Sequence, residues 1–506
     1  MTKGANMTPD EHTTLINASV PGREGTYDIR LSHGEIEAVV PTSAGARHGT
    51  RVTDVDGRFV MPGMWDHHVH FAQWTVQRRR LDLSGTASAA QCLERVRRAV
   101  ATARASNPAD PSPIVGYGFQ DGAWPDRPSS EALDEVAPEI PVVLVSKDLH
   151  CAWMNTAAAR MLTLVPEETT GLVREGEWFG ALDRLQPPAD LSTDDYREAA
   201  RAAARRGVVG IVEFENTDNL KLWPERVEQG VDSLRVEVSV WPQRLEGAIA
   251  KGVRTGDPLD PRGLITMGPL KVVVDGSLNT RTAWCWDPYP EMDRAHPHAC
   301  GMETVPLDTL RELMARAKEA GIAAAIHAIG DRANTGVLDA FEELGMTGAI
   351  EHAQLVREED FARFGELGLT ASVQPEHAMD DRDVAELHWP GRTGRAFALV
   401  SLQRAGATLR LGSDAPVSPL DPWIAISAAV SRSREGRRPW HPEQRIGVES
   451  ALAAGTRGRV GVVTGEPADL VVVERDPLSC PAEELRTMPV AATLLGGRFT
   501  WSTLTH

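Results

Sequence analysis

Short apolar runs alternate with segments whose apolar positions fall three and four residues apart, the pattern of buried strands separated by amphipathic helices. The runs are Phe59 to Met64, Val208 to Phe214, Leu234 to Val240, Leu270 to Val274, Ala323 to His327, Ala349 to His352, Thr370 to Val373 and Thr408 to Gly412. Leu310, Leu313, Met314 and Ala317 repeat at helical spacing, with Asp308 near the start and Gly321 as a stop. Ser88 to Ala105 carries Leu93, Val96, Val100 and Ala103 in the same rhythm. Thr193 caps a further helix that ends near Gly207. Eight strands alternating with helices predict an α/β fold, a (β/α)8 barrel of the TIM type.

The two chain ends follow a different rule. Thr13 to Ile16, Tyr27 to Leu31 and Gly34 to Val39 are short and strand-like, and Asp56-Gly57 is a turn signal. Ala468 to Val473 and Val490 to Leu495 match them at the far end, the latter running through Gly496-Gly497 into Arg498 to Thr500 as a hairpin. Neither set is large enough to close a core alone, so both ends are expected to build one small β-sandwich. The predicted division is residues 12–58 and 447–504 for the sandwich, with 59–106 and 192–446 for the barrel. Residues 107–191 break the barrel rhythm, with strand-like Ile114 to Phe119 and Pro141 to Ser146 among many prolines. They are expected to form an insertion over the barrel mouth.

The polar residues gather where a barrel does its chemistry, at the C-terminal ends of strands. Pro62-Gly63 interrupts the first run, and Asp66, His68 and His70 follow at alternate positions, so in extended backbone they share a face. Two imidazoles on one side of a strand end can hold one divalent cation. His327 closes the fifth run, His352 the sixth, and Asp414 follows the eighth, while Lys271 lies early in the fourth. Taken singly, a histidine at a strand end is more often a hydrogen-bonding core residue than a ligand, Asp414 could simply cap a turn and Lys271 could be an edge residue with its amine in water. Four imidazoles and a carboxylate at the strand ends of one barrel point jointly to metal ligation.

Composition narrows the partners. The chain has 506 residues and a net charge of -18, which excludes nucleic acid and anionic membrane surfaces, since both require basic patches. Arg78-Arg79-Arg80 is a short basic run that fits a solvated face. Five cysteines at unpaired spacings fit a reducing compartment and offer no thiolate metal site. Met1 to Thr14 lacks an apolar signal segment and no run is long enough to span a membrane, so a cytoplasmic location is expected.

The motifs as a set resemble the amidohydrolase superfamily, in its YtcJ-like (amidohydrolase-3) branch, which includes N-substituted formamide deformylases. The likeness runs through Val55 to Gly63 entering Asp66-x-His68-x-His70, Leu270 to Leu278 with Arg281-Thr282-Ala283, His327 to Asp331, Glu351-His352-Ala353, Gly412-Ser413-Asp414 and Gly465 to Val471. The resemblance implies one or two divalent ions per chain, zinc first, with manganese or iron as alternatives. His68 and His70 would hold one ion with Asp414, and His327 and His352 the other. Lys271 matches the position where relatives carry a lysine carboxylated by CO2 that bridges the ions. An unmodified ammonium has three donors and no lone pair, so ligation by Lys271 requires that modification. Asp414 would take a proton from ion-activated water and return it to a leaving amine, and Asp66 would orient a ligand ring.

Asp148-Leu149-His150, with Trp153 and Asn155 after it, resembles the family's Asp-Gly-His pattern, and makes His150 the candidate catalytic contact to the substrate carbonyl. Leu149 in place of glycine would move His150 or narrow the pocket. Gly118-Phe119-Gln120-Asp121 stands where the family carries Gly-Trp-Asp-Gln. Arg281 is a candidate substrate-binding residue for an anionic or carbonyl group. The expected reaction is hydrolysis of the C–N bond of a small-molecule amide or an N-acyl or N-formyl amine, by a chain that pairs as a homodimer. The alternatives are a lactone or ester hydrolase with the same centre and a non-catalytic barrel that binds a small molecule.

Overall fold

Parallel strands need cover on both faces, and this chain supplies it as a closed barrel in a coat of helices. The computed structural model describes residues 12–42, 51–106, 112–119, 121, 124–146, 151–174, 178, 181, 191–290 and 292–504. The barrel strands are β1 (Met64–Val69), β2 (Val208–Glu213), β3 (Arg235–Val240), β4 (Ile265–Val273), β5 (Ala324–Ala328), β6 (Gly348–His352), β7 (Thr370–Val373) and β8 (Thr408–Leu411). They pair in that order, each parallel to the next. β8 returns to β1 through the Asp414 N–H on the His68 carbonyl (2.7 Å) and the His70 N–H on the Ala415 carbonyl (2.8 Å). Gly412 permits that approach, because a Cβ there would lie 2.7 Å from the His68 nitrogen.

Alternation along each strand sorts the side chains. On β5, Ile326 joins the helical coat, whereas Ala325 joins Val212 and Phe214 in a separate apolar cluster. The outer faces of β4, β5, β6 and β8 bury Val272, Ile326, Ile350 and Leu409 with Leu310, Met314, Val337 and Phe341 of helices Leu307–Glu319 and Asp331–Leu344. Each such side chain contributes about 1.5–3 kcal/mol by leaving water.

Two strand expectations need correction. The run from Phe59 to Met64 is divided between sheets: Phe59–Pro62 pairs antiparallel with Leu470–Val473, and β1 starts at Met64. Pro62 lacks a ladder donor, and Gly63 packs so closely on Val209 that a Cβ would sit 2.3 Å from its side chain, so the chain changes sheets there. β4 begins at Ile265, ahead of the expected Leu270. Gly268-Pro269 looks like a breaker, yet the β3–β4 register shifts between Val238 and Val240 beside it, and such a bulge tolerates proline. Lys271 therefore stands near the C-terminal end of a nine-residue strand rather than at its start.

The chain ends form two four-stranded sheets. One contains Thr13–Ala18, Tyr27–Ser32, Glu35–Pro41 and Arg51–Asp54, and the other Phe59–Pro62, Leu470–Val473, Val490–Leu495 and Arg498–Ser502. Leu15, Ile29, Leu31 and Ile36 pack with Val60, Leu470, Val472 and Leu494 in one shared core. Helix Val448–Gly455, expected in the sandwich, instead packs Ala451 and Leu452 in the barrel coat. Asp469 ties the two parts together: its carboxylate takes two bonds from the Arg235 guanidinium (2.6 and 3.1 Å) and one from the Gly496 N–H (2.7 Å).

The second compact unit is Thr75–Ser192, so it begins well before residue 107. Helix Ala89–Ser106 packs Cys92, Val96 and Val100 with Leu133, Val142, Leu144 and Trp153 inside that unit. Its periodicity marks an apolar face and carries no information about which core receives it. Among the described residues no helix is long and apolar enough to cross a membrane. Cys92, Cys151 and Cys285 are buried.

Candidate metal centre

Three strand ends bring His68, His352 and Asp414 together. Each offers a ligand atom, these atoms lie within 4.8 Å of one another, and all three residues are buried. One cation with bonds of about 2 Å spans that spacing. His70, one residue past β1, has its Nε2 at 3.3 Å from Asp414 Oδ1, and His68 Nε2 lies 3.6 Å from the same oxygen. His327 at the end of β5 packs edge-on against His352 with ring centroids 4.4 Å apart. Its Nε2 lies 3.3 Å from the Gly276 carbonyl and 3.5 Å from Asp275 Oδ1. Lys271 Nζ lies 3.5 Å from His68 Nε2 and 4.3 Å from the centre of the Phe214 ring.

Backbone shape helps to aim these groups. His352, Ala353 and Asp414 all have positive φ, of 73°, 43° and 56°. A non-glycine residue there costs on the order of 1–3 kcal/mol, so the surrounding bonds must impose it. For Asp414 the imposing contacts are the β1–β8 closure and the Asp66 carboxylate, whose Oδ1 accepts from the His68 N–H (3.2 Å) and the Ser413 N–H (2.8 Å).

Burial governs the protonation states. It pushes His68 and His352 well below the ordinary histidine range, with Lys271 and the neighbouring rings adding to the effect, and His327 down to about 3. Burial also pulls His70 down, but the Asp414 hydrogen bond and the attraction of the Asp414 charge together outweigh it and the net shift is upward. Asp414 is pushed up by burial, yet the His70 bond and the facing imidazoles hold it well below the usual carboxylate range. Neutral rings with open lone pairs beside an ionised carboxylate are a donor set for a borderline divalent ion. His352 Nδ1 is buried without a hydrogen-bond partner, as a ligand atom awaiting a cation would be.

The orienting role expected of Asp66 belongs to a different residue. Asp66 binds backbone amides, whereas Glu351 Oε2 accepts the His68 Nδ1–H at 2.7 Å and so leaves the His68 Nε2 lone pair facing the site. Burial raises the Glu351 carboxyl and lowers the Lys271 amine, while the attraction between them favours the charged form of each. Sequence reasoning also passed over Gln374 and His377, which follow β7. Gln374 Nε2 lies 3.5 Å from His68 Nδ1, and His377 Nε2 lies 4.0 Å from Asp414 Oδ2, its ring stacked 6.2 Å from that of His352. Gln374-Pro375-Glu376-His377 stands directly after the seventh run, so the rule that located Asp414 also points there.

Other candidates take other places. Arg281 is exposed on the turn after β4, with φ of 57°. His150, with Asp148, Leu149 and Gln120, lies outside the described residues. Trp153 and Asn155 of the same motif are structural: the Trp153 Nε1–H donates to the Ser129 carbonyl, and Asn155 caps helix Thr156–Leu162 while bonding Val142, Ala137 and Ile140.

Comparison with known proteins agrees with this architecture. A putative amidohydrolase, YtcJ, of Bacillus subtilis (strain 168) is 26% identical, covering 89% of this chain and 90% of that protein. The N-substituted formamide deformylase of Arthrobacter pascens is 24% identical over 97% of this chain and 98% of its own length. Protein LONG AFTER FAR-RED 3 of Arabidopsis thaliana is 28% identical over 89% and 83%. Among solved structures, an uncharacterized metal-dependent hydrolase from Pyrococcus furiosus superposes with a TM-score of 0.72 at 27% identity, covering 92% of this chain and all (100%) of that one. The amidohydrolase family model matches residues 51–501, and the chain therefore belongs to the amidohydrolase family.

Proposed function

We propose that this protein is a metal-dependent hydrolase that cleaves the C–N bond of a small amide or an N-acyl or N-formyl amine. The observation that carries the reading is the buried convergence of His68, His352 and Asp414, with donor atoms within 4.8 Å of one another. His68, His352 and Asp414 would hold a divalent ion, with His70 and His327 as the nearest further candidates. When bound, the ion acts as a Lewis acid and brings the ionisation of water towards neutral pH.

This chain's own groups then manage the proton. Asp414 accepts it from the attacking water and returns it to the amine nitrogen as the C–N bond breaks, so the carboxylate ends as it began. His70 steadies Asp414 from one side at 3.3 Å, and His377 faces its other oxygen at 4.0 Å. His377 Nε2 is buried without a partner, and donates to the carbonyl oxygen as negative charge develops there. Glu351 keeps His68 in the tautomer whose Nε2 faces the site. Lys271 becomes a ligand only as its carbamate, which uptake of isotopically labelled bicarbonate would reveal.

The test is a hydrolysis screen of metal-replete protein over N-substituted formamides, N-acyl amino acids, lactams and lactones. Turnover of an amide, abolished by a chelator and restored by zinc, manganese or iron, is the expected result. Turnover of lactones alone would move the protein to ester chemistry. A chain that never takes up metal would make it a binding protein.

A further inference from the structure

A TIM barrel ordinarily fills its lumen with layers of bulky branched side chains. The lower lumen of this barrel is not filled. Ala325 of β5 and Ala349 of β6 line a cavity of about 400 Å3. Thr347, Gly348 and Gly368, at or just before the starts of β6 and β7, place it at the end of the barrel opposite the metal centre. Glu351, whose carboxylate holds His68, lines it as well and marks the end nearer the metal centre.

Two arginines and two carboxylates line this cavity, Arg410, Arg457, Glu237 and Glu351, and they do not pair evenly. Arg457 takes Glu237 as an ion-pair partner and lies over the Trp65 ring at 3.4 Å. Arg410 is half-buried, its one hydrogen bond runs to the Leu409 carbonyl (3.3 Å), and no described carboxylate lies within ion-pair distance of it. His67, 5% exposed, also lines the cavity. Its Nδ1–H donates to the Leu411 carbonyl, so Nε2 is an acceptor, buried and without a partner. A hollow site with a guanidinium lacking an acidic partner is built to receive an anion, and the unmet His67 lone pair favours one that keeps a proton to donate.

We propose that this cavity is a second binding site, for a small oxyanion such as a short carboxylate, seated on the forks of Arg410 and Arg457. The guanidinium fork matches a two-oxygen anion, and the volume lies within the range of small-molecule pockets. Glu351 already has His68 and Lys271 as partners, so the anion sits at the Arg410 end of the cavity.

The experiment is calorimetric titration of the purified full-length protein with sodium formate, acetate, bicarbonate and phosphate at constant ionic strength, with chloride as the reference anion. Saturable one-to-one binding of at least one of them is expected, and which one separates carboxylate from inorganic sources. Arg410→Gln should weaken it at least tenfold, Ala349→Leu should abolish it by occupying the space, and Arg97→Gln on an exposed helix should leave it unchanged. If Arg410→Gln fails to fold, Arg410→Lys and Ala349→Leu carry the test. Absence of saturable binding overturns the proposal. Binding that survives both Arg410→Gln and Ala349→Leu also overturns it, by assigning the anion to the metal centre. Neither result bears on amide hydrolysis, which the substrate screen measures separately.

Discussion

Asp414 and Glu351 are both buried carboxylates, yet they serve the site in different ways. Asp414→Asn removes the proton acceptor while keeping shape, so kcat should fall roughly 10²–10⁴-fold with KM changed far less, as steady-state kinetics on the best amide would measure. Glu351→Gln replaces the group that fixes the His68 tautomer, so metal affinity should drop roughly 10–100-fold in competition with a chelating dye. Asp414 is also one of the three candidate ligands, so metal content measured alongside kcat is what separates proton transfer from metal seating. A third outcome concerns pH. His70 is raised by Asp414, whereas His68, His327 and His352 are depressed by burial, so His70 is the ring of the four that keeps its proton to the highest pH. That proton competes with the cation, and metal affinity should rise with pH through the raised His70 pKa and level off above it. Calorimetry in two buffers of different ionisation enthalpy would count the proton released. The candidate ligands were legible in the sequence because they stand at alternate positions and strand ends. Glu351 was quoted within its motif without a role, because only the folded barrel brings β6 against β1 across the lumen.

At the level of elements, the barrel depends on a few close approaches. Gly412→Ala would force a methyl to within 2.7 Å of the His68 nitrogen, where β8 meets β1. It should cost about 1–3 kcal/mol, read as a lower melting temperature, and should reduce metal uptake as well, since the same contact places Asp414. Ile326→Ala, buried in the coat one position before His327, should cost about 2–5 kcal/mol and leave metal affinity nearer wild type. The strand pattern was readable because parallel strands buried on both faces are continuous apolar runs. It failed where composition and context disagree. Pro62-Gly63 interrupts its run and also marks a change of sheet, which the run does not announce, and Gly268-Pro269 looks like an end but is a bulge within β4. Neither outcome follows from the residues of the run alone. Both depend on which strand lies alongside.

Across the whole molecule, the sandwich was foreseeable from short strands at both ends that could not close cores alone, and the mutual burial of Leu31 and Leu494 is its physical expression. Asp469 couples that sandwich to the barrel through Arg235. Asp469→Ala would leave the guanidinium unpaired at a partly buried junction and should cost about 2–3 kcal/mol in chemical denaturation, allowing for the exposed part of Arg235. The extent of the second unit was less legible, because an amphipathic helix such as Ala89–Ser106 announces that it will be buried but not by what. The pairing of Val60 with Val472 has a temporal side. Translation at about 5–20 residues per second would separate the synthesis of those two partners by roughly 20–80 seconds. Through that interval the early strands would have half a core and an open hydrogen-bonding edge, so the nascent chain should recruit holdase chaperones until its last strands emerge.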